Sequence, residues 1–149
     1  MLTELRKKIA SNRSGFTLLE LLVVMVILVL LASVVTVVVI KRVEEAKHAK
    51  AVTDISTLES GLDQFYLHCG RYPTTEEGLN ALRVKPQSDD LGNWSGPYIK
   101  RAVPADPWGK AYIYQCPGEH NTDSYDLYSY GRDGKQGGDG PDEDIVNWD

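Results

Sequence analysis

From Phe16 to Ile40 the chain reads FTLLELLVVMVILVLLASVVTVVVI, apolar throughout apart from Glu20 and a few hydroxyl residues. At about 1.5 Å per residue a helix of this length covers roughly 37 Å, more than a hydrocarbon core of about 30 Å, so the pattern predicts a transmembrane helix. Beyond Val43 the pattern changes to a stripe. Ala51, Ile55, Leu58, Leu62 and Phe65 recur at steps of four and three, with Tyr66 widening the face, which is the signature of an amphipathic helix running to about His68. Gly61 costs on the order of 1 kcal/mol relative to alanine, but no other breaker interrupts the run up to Cys69. The two patterns therefore predict one continuous helix of about fifty residues, half in lipid and half against a small domain.

Gly70 and Pro73 end that helix, and Thr74 followed three residues later by Glu77 is a capping box for a second, shorter helix through Leu79 and Leu82. Pro86 to Trp108 is rich in Pro, Gly, Asn and Asp and reads as a loop, packed down by Trp94, Tyr98, Ile99 and Trp108. Ala111 to Cys116 and Ser124 to Tyr130 alternate apolar with polar residues around the turn PGEHNTD, predicting an antiparallel hairpin. The fold class is α+β: a long N-terminal helix on a small domain with a short helix and a small antiparallel sheet.

Charge orients this arrangement. The net charge is −5 over 149 residues, but Arg6, Lys7, Lys8 and Arg13 against Glu4 make residues 1–15 basic, and everything after them is acidic. A basic head before an apolar span stays in the cytoplasm and sends the remainder outside; Lys41 and Arg42 weaken that bias without reversing it. No small-residue cleavage site follows the span, which separates it from an ordinary secretory signal. The domains are then a basic leader (1–15), a membrane helix (16–40) and an extracytoplasmic domain (41–149). From Pro104 onward Lys110, Arg132 and Lys135 face ten carboxylates, which repels nucleic acid. His48, His68 and His120 are scattered, and no phosphate-binding loop or nucleophile constellation is present, so no enzyme is predicted.

The most specific chemistry is at the front: Arg13, Ser14, Gly15, Phe16, Thr17, Leu18, Leu19 and Glu20. A carboxylate inside a membrane helix costs about 2–3 kcal/mol, less near the interface, so it either snorkels to the headgroups or finds a partner. This motif resembles the class III signal of type IV pilins and pseudopilins. The resemblance implies that a prepilin peptidase cuts between Gly15 and Phe16 and methylates the new Phe16 amine, and that Glu20 pairs with the amino terminus of a neighbouring subunit. Three further segments, RYPTTEEGLNAL (71–82), GPYIKRAVPADPWGKAYIY (96–114) and SYDLYSYGRDG with DEDIVNW (124–148), resemble the major pseudopilins of type II secretion. That resemblance implies a non-catalytic subunit of the inner membrane with a periplasmic domain, polymerising into a filament that moves folded exoproteins across the outer membrane. Its implied partners are copies of itself, minor pseudopilins, the inner-membrane secretion platform and prepilin peptidase, with energy from a partner ATPase. One departure is that Thr36, Val37 and Val38 stand where many relatives have a mid-helix proline. A type IV pilin or minor pseudopilin serving adhesion, motility or DNA uptake is the alternative; a merely anchored calcium-binding or enzymatic domain would leave Gly15, Phe16 and Glu20 unexplained.

The acidic, glycine-rich stretch Gly131 to Ile145, GRDGKQGGDGPDEDI, has the composition calcium favours, oxygens on a backbone free to turn tightly. Its spacing fits neither an EF-hand, because Lys135 and Gly137 stand at ligand positions, nor a repeat-in-toxin array, because there is one copy and Asp144 takes the aliphatic position. A solvated acidic loop and a calcium site are equally compatible with the composition alone. The family resemblance implies one structural calcium held by Asp133, Asp142 and Asp144 with backbone carbonyls near Tyr130 and Lys135, and Asp139 and Glu143 as further candidates. Cys69 and Cys116 lie in the segment facing an oxidising compartment, where a bridge would contribute roughly 4–5 kcal/mol by the chain-entropy argument; the alternative is two unpaired thiols.

Overall fold

The computed structural model describes residues 15–148. The chain divides into two units, Met1–Lys41 and Arg42–Asp149, and one 52-residue helix, α1 (Leu18–Cys69), contributes to both. Thr17 starts it: the Thr17 Oγ1 accepts the Glu20 N–H at 3.2 Å and the Thr17 carbonyl accepts the Leu21 N–H at 3.2 Å. This satisfies donors that the first turn cannot pair internally. Among the described side chains of the first unit the large apolar ones are uncovered, Leu19 at 70% exposure and Leu30 at 62%. The Ser33 hydroxyl donates to the Leu30 carbonyl at 2.7 Å, so its polar group is met by its own helix. α1 has the length and composition to cross a membrane. Apolar surface on this scale is stable only when lipid or other protein removes it from water.

In the second unit the predicted stripe is the core face: Ala51, Leu62 and Phe65 are fully buried and Ile55 and Leu58 nearly so. Tyr66 does not join it. It is 46% exposed and lies against Tyr72, with ring centroids 4.8 Å apart. Leu79, Ala81, Leu82, Leu91, Tyr112, Tyr125, Leu127 and Ile145 complete the core. Gly61 belongs to this packing, since a Cβ there would stand 3.1 Å from Ile99 Cγ2 and 3.3 Å from Leu82 Cδ1. The helix gives up propensity at Gly61 to let these two side chains close onto it.

The Thr74–Glu77 box forms reciprocally, with the Thr74 N–H donating to Glu77 Oε2 at 2.9 Å and the Glu77 N–H donating to Thr74 Oγ1 at 3.2 Å. The short helix predicted through Leu79 and Leu82 forms as well, as a 3₁₀ helix rather than an α-helix. Gly78 has φ 59°, which ends the turn, and the chain restarts as a 3₁₀ turn over Leu79–Leu82. The segment 86–108 is a packed loop as expected: the Trp94 indole donates to the Ala81 carbonyl at 3.1 Å, and the Tyr98 N–H to the Leu82 carbonyl at 2.7 Å.

The sheet is antiparallel with strand order β1 (Ile113–Gln115), β2 (Asp126–Ser129), β3 (Ile145–Val146). The predicted hairpin pairs Tyr114 with Leu127, within tighter limits than the sequence indicated. The third strand is an addition, pairing Tyr128 with Val146 and Ser129 with Ile145. Two residues are too few to display an alternation. Asn147 extends this edge by a side chain, its Oδ1 accepting the Leu127 N–H at 2.8 Å. Cys69 and Cys116 are free and half-buried. Of the two readings the sequence left open, the structure has unpaired thiols rather than a Cys69–Cys116 bridge. Cys69 neighbours the Tyr98 hydroxyl, whereas Cys116 neighbours Tyr114, whose own hydroxyl donates to the Pro73 carbonyl at 2.7 Å.

Candidate functional site

The residues singled out by sequence fall at two places. At the first, Gly15, Phe16 and Thr17 precede the helix, all exposed, with Phe16 at 78%. A Cβ on Gly15 would meet nothing within 4 Å. The Gly15–Phe16 bond is therefore an open, non-helical peptide, the form a peptidase needs. Glu20 lies in the first turn of α1, where the helix dipole favours a negative charge. Thr17 and Glu20 also stand three apart as a capping pair, a spacing the sequence reading passed over. Only the Thr17 half of the box is made, and the Glu20 carboxylate has no protein partner among the described residues. Arg13, Ser14 and the rest of the basic leader lie outside those residues.

The second place is the loop from Tyr130 to Asp144. Its glycines permit the close approaches that fold it. Gly131 has φ 62°, and a Cβ there would stand 2.6 Å from the Glu143 carbonyl oxygen; Gly138 has φ 105° and faces the Asp142 carbonyl oxygen at 2.5 Å in the same sense. The Tyr130 carbonyl accepts the Gly134 N–H at 3.2 Å. Asp133 turns back on its own backbone, its Oδ1 accepting the Lys135 N–H at 3.0 Å. Asp142 is taken by Arg132, which donates from Nε at 2.8 Å and from Nη2 at 3.0 Å, one bond to each carboxylate oxygen. The guanidinium holds the Asp142 carboxyl below its ordinary value. Asp139 and Glu143 are exposed, flanking a 3₁₀ turn at Gly140–Asp142.

Asp144 differs from all of these. Its Oδ2 accepts the Gly137 N–H at 2.8 Å, but its Oδ1 is buried with no partner among the described residues. Asp144 lines a cavity of about 210 Å³ with Gln136, Tyr130, Tyr128, Asp126 and His120. Among the described residues no three His, Cys, Asp or Glu side chains gather as a metal-binding group. Asp142 is set apart from Asp144 by the guanidinium that meets both its oxygens. Asp144 fits the requirement for a cation, since a buried carboxylate oxygen without a donor is costly.

Two carboxylates that the sequence reading did not single out hold the surroundings in place. Asp106, 4% exposed, accepts the N–H groups of Trp108 and Lys110 on Oδ1 at 3.1 and 2.7 Å and the Ser129 hydroxyl on Oδ2 at 2.6 Å. Asp126, 2% exposed, accepts the N–H groups of Glu119 and His120 on Oδ2 at 2.8 and 2.9 Å and that of Asn121 on Oδ1 at 2.9 Å. Burial pushes the Asp126 carboxyl up, but the N–H groups of His120 and Asn121, the His120 ring and the Glu119 N–H outweigh it, leaving the group below its ordinary value. The signal for Asp106 was the local run Asp-Pro-Trp-Gly, a turn composition; Asp126, inside a strand, had none.

Comparison with known proteins bears on both places. Residues 38–148 match the family model described as "Type II secretion system (T2SS), protein G", and residues 10–36 match the prokaryotic N-terminal methylation motif. The type II secretion system core protein G of Vibrio cholerae is 47% identical over 91% of this chain and 92% of its own length. That of Pseudomonas aeruginosa is 44% identical over 92% of this chain and 96% of its own length. The crystal structure of the major pseudopilin from the type 2 secretion system of enterohaemorrhagic Escherichia coli superposes with a TM-score of 0.59 at 38% identity, covering 72% of this chain and 90% of that one.

Proposed function

The chain belongs to the type II secretion system protein G family, the major pseudopilins, and we propose that its two ends do separate jobs: the N-terminal end is cut and docked, the C-terminal loop is pinned by calcium. Its role is that of the main structural subunit of the pseudopilus, the filament that helps to move folded exoproteins across the outer membrane. The match through residue 148 favours this over a type IV pilin or a minor pseudopilin. α1 anchors the subunit in the membrane, with the pseudopilus on the periplasmic side, and the methylation motif makes the chain a substrate for prepilin peptidase processing.

At the N-terminal end, the peptidase releases residues 1–15 from the inner-membrane precursor and methylates the Phe16 amine. The new amine then meets Glu20 of a neighbouring copy. A positive and a negative group brought together in lipid relieve each other's desolvation, and the pairing sets the register between subunits. The observation that carries this reading is the unpartnered Glu20 carboxylate at the start of a bare apolar helix. Minor pseudopilins and the inner-membrane platform are the further partners, and the chain itself performs no catalysis. Co-expression with a prepilin peptidase tests the cut: the product should begin at Phe16, and an uncut chain would refute it. Glu20→Ala should insert and be cut normally yet fail to assemble, whereas filaments at wild-type abundance would remove the pairing role.

At the C-terminal end, Asp144, Asp133 and the carbonyls of Tyr130 and Lys135 would hold calcium. The orphaned Asp144 oxygen supports the assignment. The ion supplies positive charge to a buried carboxylate and joins loop segments that have little apolar core of their own. Thermal unfolding with calcium and with excess chelator tests it, and equal melting temperatures in the two conditions would return the loop to solvent.

A further inference from the structure

The acidic residues at the end of this loop are satisfied in two ways. Asp142 receives a two-point guanidinium contact, whereas Asp144, two residues on, keeps a buried oxygen without a donor. Arg132 stays charged at any physiological pH, and two charge-assisted bonds on one carboxylate are the strong geometry for such a pair. A metal ion at Asp142 would have to share the carboxylate with that guanidinium, against the repulsion of its positive charge. The pair also joins the two ends of the loop at the point where they already touch, since Gly131 sits against the Glu143 carbonyl. Lys110 adds a second tether by donating to the Arg132 carbonyl at 3.4 Å, its stem passing directly over Gly134.

We propose that Arg132 is a built-in cation for this loop: it latches Asp142 without metal, and the exogenous cation serves Asp144 and not Asp142. The second half rests on the calcium reading above; the first half stands on the Arg132–Asp142 geometry alone. The pair is part-exposed, Arg132 at 48% and Asp142 at 32%. Isolated exposed pairs contribute little. The latch therefore acts by closing a loop whose ends are already packed, which keeps the loop partly ordered when calcium is scarce.

The test uses the full-length chain in detergent, with Arg132→Gln, Asp142→Asn, the double variant and Asp144→Asn. Melting temperature and limited proteolysis of the loop are followed in chelator, and calcium binding by calorimetry. In chelator, each latch variant should melt lower and be cut faster than wild type, and the double variant should fall no further than the more damaged single one. Calcium affinity should stay within about twofold of wild type in Asp142→Asn and drop by at least about tenfold in Asp144→Asn, the scale expected when a ligand or its support is lost. Additive losses in chelator, or none, would overturn the latch. A loss of about tenfold or more in Asp142→Asn would make Asp142 a ligand and overturn the division of labour. Should wild type itself bind no calcium, the calcium reading fails and with it the second half, while the chelator cycle still decides the latch.

Discussion

Asp126→Asn isolates one carboxylate's contribution to the fold. The side chain is 2% exposed and accepts three backbone N–H groups, two on Oδ2 and one on Oδ1. An amide of the same shape has one acceptor oxygen and turns its NH₂ toward N–H groups on the other side. If the oxygen keeps the Glu119 and His120 donors, the Asn121 N–H loses its acceptor; in the reverse orientation two donors are orphaned. At about 1–3 kcal/mol for each buried donor left unmade, the loss should be about 1–3 kcal/mol with one donor orphaned and about 2–6 kcal/mol with two. The acid dependence gives a second readout. A carboxyl held below its ordinary value in the fold contributes its full stability above the unfolded value of about 3.9 and loses that contribution as pH falls through the folded one. Wild type should therefore lose stability faster than Asp126→Asn as pH falls from about 5 toward 3, and the two curves should converge. Urea unfolding at several pH values measures both. A loss under about 0.5 kcal/mol at neutral pH, with parallel acid profiles, would refute the argument.

Leu62→Ala removes a fully buried side chain at the centre of the stripe and should cost about 2–5 kcal/mol in the same unfolding assay. Gly61→Val should destabilise by about 1–3 kcal/mol through overpacking against Ile99 and Leu82, and the deficit should shrink when Leu82 is also made Val; a gain in stability from Gly61→Val would show that the loop does not rest on the helix as described. Arg71→Lys should weaken the anchor formed where Arg71 meets Glu77 at 2.7 and 2.9 Å and Asp90 at 3.1 Å through Nη2, costing about 1 kcal/mol because a point charge replaces a fork. Thermal denaturation checks that variant, and an unchanged melting temperature would count against the anchor.

α1 was legible in the sequence because its signals repeat over many residues: a long apolar run and then five core positions, all of which are buried. Tyr66 was misread because a ring one position off the stripe can be removed from water by a neighbouring ring instead of by the core. The short helix expected through Leu79 and Leu82 is present, but Gly78, whose positive φ ends the capped turn before it, starts it later and leaves it a 3₁₀ helix. β3 was invisible as a strand because its place depends on pairing with β2, which is far away in sequence, an edge that Asn147 extends by accepting the Leu127 N–H. At the loop, composition located the acidic residues but could not say how each is satisfied. That depended on Arg132 reaching forward across ten positions to Asp142, a pairing that only the folded turns create.

The order in which the chain becomes available gives β3 a further meaning. Synthesis and export deliver α1 first, with Ile55, Leu58, Leu62 and Phe65 on one face, while Ile145 and the Asn147 rung that close the sheet arrive close to residue 148. Until they arrive, the apolar face of α1 lacks part of its cover and β2 lacks its outer neighbour. Until then the subunit carries a sticky helix and an open strand edge, a window in which copies can associate wrongly. The subunit is thus exposed to mispairing until residues 145–147 are in place, and a truncation before Ile145 would extend that interval indefinitely.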